Sequence, residues 1–193
     1  MNIFSPSYKK TADEELMQLI ADGKKSAFDE LYQRYSKKMH FFFYKMLGSD
    51  NDKANDFVQD LFLRLIEKPH LFNTEMRFSS WLYSIAGNMC RNEYRRISVR
   101  KEIKAETDLD HFHYEQEQTS ASIDYSKFKG ALAIQLDELD EENKMIFLLR
   151  FQENLSINEI SKIVQCPEGT VKSRLFYSIQ KLSKKLTHYN PNL

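Results

Sequence analysis

Cysteine, glycine, proline and tryptophan are all scarce in this chain of 193 residues: two, five, four and one. Each scarcity excludes something. Cys90 and Cys166 lie too far apart for a CxxC motif and are too few for a disulfide scaffold, so both are expected to pack as small hydrophobes. Isolated glycines and few prolines disfavour many short strands joined by tight turns and favour long helices. The longest apolar run, Met145 to Leu149, is five residues. That is far below the roughly 20 that cross a bilayer, so no membrane insertion is expected. The opening MNIFSPSYKK has no signal-peptide core, which leads to the expectation of a cytoplasmic protein. Phosphate-binding GxxxxGK, zinc-binding HExxH and a compelling Ser-His-Asp pattern are absent, so the expectation is a non-enzyme without cofactor. Asp110, His111 and His113 lack further spaced ligands, and no metal site is expected there.

What the chain does have is charge and aromatic rings. Lys plus Arg and Asp plus Glu both number 28, and there are 14 Phe and 10 Tyr, enough to bury real cores. The charge is unevenly spread. Residues 1–97 hold 15 basic and 13 acidic groups, residues 98–127 hold 4 and 7, and residues 128–193 hold 9 and 8. The middle stretch is acidic, polar and without sustained periodicity. An all-α fold follows, with helical modules at 1–97 and 128–193 joined by a flexible linker at 98–127.

In the first module Thr11 and Glu14 have capping-box spacing. Phe28, Leu31, Tyr32, Tyr35 and Met39 form one helical stripe, running on through Phe41, Phe42, Phe43 and Tyr44 to Gly48. Polar residues at 49–52 can cap a helix carrying Ala54, Phe57, Val58, Leu61, Leu65 and Ile66, which Pro69 ends. Another helix is expected from Ser79 to Arg96.

The second module contains the most specific local pattern. Ser156 and Glu159 form a capping box, with Leu155 and Ile160 as a hydrophobic staple. The short helix they start buries Ile157, Ile160 and Ile163; Cys166 and Pro167 turn the chain into a second helix with Val171, Leu175, Ile179 and Leu182 inside. Residues 168–186 hold five basic groups against Glu168 alone. A short helix, a tight turn and a basic second helix describe a helix-turn-helix that enters a DNA groove.

At LSINEISKIVQCPEGTVKSRLFYSIQKL the chain resembles promoter-reading region 4 of bacterial RNA polymerase sigma factors, of the extracytoplasmic-function (ECF) group of the sigma-70 family. AFDELYQRY and NDFVQDLFLRLIE resemble the start and the polymerase-binding helix of region 2, and FSSWLYSIAGNMCRNEYRR resembles its −10 helix. The resemblance covers about three quarters of the chain. It implies an alternative sigma factor that binds core RNA polymerase and directs promoter-specific transcription initiation.

The resemblance also implies residue roles. Asp56, Gln59, Asp60 and Leu63, on one helical face, would grip polymerase, although Asp60 stands where glutamate is common. Thr170, Lys172, Ser173, Arg174, Phe176 and Tyr177 would meet the −35 duplex, and Tyr177 replaces a residue that is often basic. At the −10 element Phe78, Trp81 and Tyr83 are candidates for stacking on separated bases, although Trp81 suits the core better. Asn88 would touch base edges, and Arg91, Arg95 and Arg96 phosphates. An anti-sigma factor, often membrane-anchored, is implied as a further partner. The alternative is a free-standing two-domain helix-turn-helix regulator, which predicts a dimer and tight duplex binding alone. The basic segments at 91–101 and 168–186 speak against a purely protein-binding adaptor. Glu106, Asp108, Asp110, Glu115 and Glu117 are expected to help close the modules on each other by attracting their basic faces.

Overall fold

The computed structural model describes residues 8–104 and 123–187. Among these there are eight α-helices and no strand. The chain divides into two compact units, Met1–Arg95 and Arg96–Leu193.

In the first unit α1 (Asp13–Ala21), α2 (Lys25–Met46) and α3 (Asn51–Glu67) precede a 3-10 turn at Pro69–Leu71, and α4 (Phe78–Lys104) follows. The core is built from the inward stripe of each helix: Leu16, Met17 and Ile20 on α1, Leu31, Met39 and Phe42 on α2, Leu61 and Leu65 on α3. Asp50 caps α3, its carboxylate accepting from the Lys53 amide at 2.9 Å. The expected cap at Thr11 does not form. Ala12 is the N-cap of α1, and Glu14 instead accepts from the Phe78 amide at 2.8 Å, using its carboxylate for the start of α4. Arg34 fastens the preceding segment to α2, donating to the carbonyls of Tyr8 and Thr11 and pairing with Asp13 and Glu30.

Two expectations about extent change. Ile66 is exposed, because a buried stripe that steps from Val58 to Leu61 to Leu65 has rotated past position 66. Helix α4 runs to Lys104 and α5 starts at Ile123, so both ends of the 98–127 segment are helical. ISVRKEIK contains neither Gly nor Pro, and nothing in it stops the helix at 97. Glu106, Asp108, Asp110, His111, His113, Glu115 and Glu117 lie outside the described residues.

The second unit holds α5 (Ile123–Asp137), α6 (Glu141–Phe151), α7 (Ile157–Val164) and α8 (Glu168–Lys185). Leu136, Leu139 and Leu182 join α5 to α8, with Leu132, Phe147 and Leu186 packed around them. Asp140 caps α6 by accepting from the Asn143 amide at 2.9 Å. Among the described residues no helix is long and apolar enough to cross a membrane.

Candidate nucleic-acid interface

The helix-turn-helix is assembled from local chemistry. The Glu159 amide donates to Ser156 Oγ at 3.2 Å and the Ser156 amide donates to Glu159 Oε2 at 2.9 Å, completing the capping box of α7. Gln165 closes α7 in the left-handed region, at φ 57°. Ser161 Oγ donates to the Cys166 carbonyl at 2.7 Å, and Asn158 Nδ2 donates to Glu168 Oε1 at 3.0 Å, so α7 is bonded to the turn and to the first residue of α8. Pro167 is the N-cap of α8.

The inward stripe of α8 is Val171, Leu175, Ser178 and Leu182. Ile179, expected inside, is 45% exposed. Steps of four, three and four follow the 3.6-residue period, whereas two successive steps of four drift off the buried face. Ser178 takes the inner place, and its buried hydroxyl has no hydrogen-bond partner among the described residues.

Lys172, Ser173, Phe176 and Tyr177 stand exposed on the outer side of α8. Phe176 and Tyr177 are 62% and 64% exposed, their ring centroids 5.5 Å apart, an apolar projection unusual on a water-facing helix. Thr170 is half-buried at the helix start, and its carbonyl accepts from Ser173 Oγ at 3.0 Å. Arg174 departs from the expected set. Its guanidinium is ion-paired with Glu142 on α6.

In the first unit the aromatic candidates are core. Phe78 is 0% and Tyr83 is 1% exposed, and Trp81 is 9% exposed, so none offers a free face to a base. Their rings are taken by neighbours: Phe78 meets Tyr35 at 5.1 Å, Trp81 meets Phe72 at 5.2 Å and Tyr83 meets Phe42 at 5.3 Å, each edge to face. The physical reason is that the start of α4 is pinned by Glu14 and must bury its first turns against α2. Asn88 is exposed and accepts from Arg91; Arg95 and Arg96 are exposed further along α4. The loop before α4 is turned by Asn73, whose Oδ1 accepts from the Glu75 amide at 2.9 Å.

Asp56, Gln59, Asp60 and Leu63 are all exposed on the outer face of α3, opposite Ala54, Val58, Leu61 and Leu65. Leu63 and Ile66, at 52% and 48% exposed, add an apolar end to this acidic face. Lys53 of α3 pairs with Glu93 of α4 at 2.8 Å, and Glu93 is 6% exposed. This brace went unseen in the sequence, although Glu93 falls at i+4 and i+3 from the inward Met89 and Cys90, which was the signal for it.

Comparison with known proteins agrees with this architecture. Sigma-70 region 2 matches residues 31–99 and Sigma-70, region 4 matches residues 130–182. The chain belongs to the sigma-70 family of bacterial RNA polymerase sigma factors. It is 27% identical over 181 residues to the RNA polymerase sigma-H factor of Pseudomonas aeruginosa, covering 90% of this chain and 93% of that one. It is 29% identical over 191 residues to the ECF RNA polymerase sigma-E factor of Haemophilus influenzae, covering 92% and 97%. Within the family it is thus an ECF-type alternative sigma factor that directs transcription initiation, and its relatives are initiation factors rather than enzymes. Two solved structures share the fold. The sigma factor RpoE, in complex with the anti-sigma factor NepR from Bartonella quintana, aligns with a TM-score of 0.68 at 20% identity, over 83% of this chain and 96% of that one. CnrH, in complex with the cytosolic domain of CnrY, aligns at 0.66 and 22% identity, over 91% and 97%.

Proposed function

We propose that residues 1–97 form the region 2 domain and residues 128–193 the region 4 domain, with 98–127 as the tether between them. In this reading the acidic face of α3, Asp56, Gln59, Asp60 and Leu63, binds core RNA polymerase. Carboxylates beside an exposed leucine suit a basic partner helix, where charge-assisted pairs fix orientation. Thr170, Lys172, Ser173, Phe176 and Tyr177 meet the −35 duplex. Lys172 and Ser173 donate to guanine acceptors or phosphates, and Phe176 contacts a thymine methyl. Asn88, Arg91, Arg95 and Arg96 engage the separated strands of the −10 element, the amide at base edges and the guanidinium groups at phosphates. Phe78, Trp81 and Tyr83 support that helix from within. An anti-sigma factor is a further partner, RNA synthesis belongs to the polymerase, and the chain works in the cytoplasm.

The observation that carries this reading is the exposed pair Phe176 and Tyr177, set beside Lys172 and Ser173 on the second helix of a helix-turn-helix whose first helix carries a complete capping box. The test is co-chromatography with purified bacterial core RNA polymerase, followed by transcription from a promoter library. Co-migration with promoter-dependent RNA synthesis is expected, and the enriched −35 sequences report what Tyr177 prefers. Failure to bind any core enzyme, with tight binding to duplex alone, would favour the free-standing regulator.

A further inference from the structure

Helix α8 has a third stripe besides its buried and outer faces. Arg174, Lys181 and Lys185 follow one another at steps of seven and four, and each is engaged within its own unit. Arg174 pairs with Glu142 in the first turn of α6. Lys185 pairs with the Glu138 carboxylate, and Lys181 Nζ donates to the Glu138 carbonyl at 2.8 Å. The hydrogen bond from Lys185 is the largest influence on the Glu138 carboxyl; desolvation opposes it, and the charges of Lys185 and Lys181 add to it, so the group lies below its ordinary value. Three of the five cations between 168 and 186 are therefore directed at the α5–α6 junction. Lys172 shares the outer side with Ser173, Phe176 and Tyr177.

Phosphate contacts strengthen binding to every sequence alike, whereas base contacts discriminate. We propose that Glu138 and Glu142 limit the backbone affinity of the promoter-reading helix. By holding Arg174, Lys181 and Lys185 off the DNA backbone they keep sequence-independent attraction low. The choice of duplex then falls to Lys172, Ser173, Phe176 and Tyr177. This inference rests on the assignment of α8 to the −35 duplex.

The test uses the full chain assembled with core RNA polymerase, as wild type and as Glu138→Gln with Glu142→Gln. Binding is measured across a range of KCl concentrations to a promoter fragment with a library-selected −35 element and to the same fragment with that element scrambled. The variant is expected to bind both fragments more tightly. The slope of log affinity against log salt should steepen by about 2, since Arg174 and Lys185 are released while Lys181 keeps the carbonyl of residue 138, and each added phosphate contact contributes about 0.9. Preference for the selected element should stay near wild type, since the added contacts act on both fragments alike. An unchanged slope and affinity in a variant with wild-type circular dichroism would overturn the proposal. So would weaker binding to both fragments without steepening, which would make the two acids mere braces. The exchange Glu142→Arg with Arg174→Glu rebuilds the pair at the same net charge, and should leave slope and preference near wild type. A slope shallower by about 1 in the exchanged chain would put Arg174 on a phosphate and overturn the proposal as well. Wild-type holoenzyme that makes no promoter-dependent RNA would instead sink the assignment of α8.

Discussion

Ser178 and Tyr35 illustrate how much a single buried oxygen matters. Ser178 occupies the inward stripe of α8 with an unpartnered hydroxyl, a group that costs about 1–3 kcal/mol to desolvate. Ser178→Ala keeps the packing and removes that cost, so it should raise the thermal midpoint by the equivalent of about 1 kcal/mol, read by circular dichroism. Tyr35 donates to Asp13, and burial, reinforced by that bond and by the Asp13 charge, lifts its phenol well above the ordinary 10.0. A raised value means that the folded chain keeps its proton while the unfolded chain loses it. The contribution to stability is full below pH 10 and is lost as pH climbs beyond it. Denaturant titrations at alkaline pH should therefore show a decline that Tyr35→Phe diminishes, at the cost of a lower plateau near neutrality. Neither feature was legible in the sequence. Ile179 looked like the inward residue on a step-of-four count, and Asp13 lies 22 positions from Tyr35 in a pattern with no local signature.

At the scale of elements, what was legible was what closes within a few residues. Ser156 and Glu159 satisfy each other across one turn, and the two residues alone specify the start of α7. Thr11 and Glu14 have the same spacing, yet Glu14 is drawn to an amide 64 positions away, which no local pattern foretells. The α3 face was readable because outward and inward residues obey one period, whereas the pairing of Arg174 with Glu142 depends on how α8 lies across α6. The turn of the helix-turn-helix supplies a further prediction. Gln165 sits at φ 57°, a region that costs a residue with a β-carbon about 1–2 kcal/mol. Gln165→Gly should raise the thermal midpoint slightly, because the gain is partly offset by glycine's greater freedom when unfolded, and Gln165→Val should lower it by more. Equal midpoints for the two variants would mean that this residue leaves the left-handed region in solution.

For the whole molecule, the chain divides into two units of similar size, and under the proposed function each works through the surface it exposes. Charge reversal on α3, Asp56→Lys with Asp60→Lys, alters only exposed side chains and should leave the helical signal intact. Under the proposed function it should abolish co-migration with core polymerase, with a loss of at least about 100-fold in affinity if two charge-assisted pairs are broken. Retained co-migration would move the polymerase contact elsewhere. The distribution of aromatic residues also gives the first unit an optical signature. Trp81 is the only tryptophan in the chain, nine-tenths buried, with Phe72 5.2 Å and Phe78 6.1 Å away. Its emission should be blue-shifted in the free protein and should redden when the first turns of α4 come apart. The second unit contributes no indole, so fluorescence and circular dichroism together separate the melting of one half of the chain from that of the other.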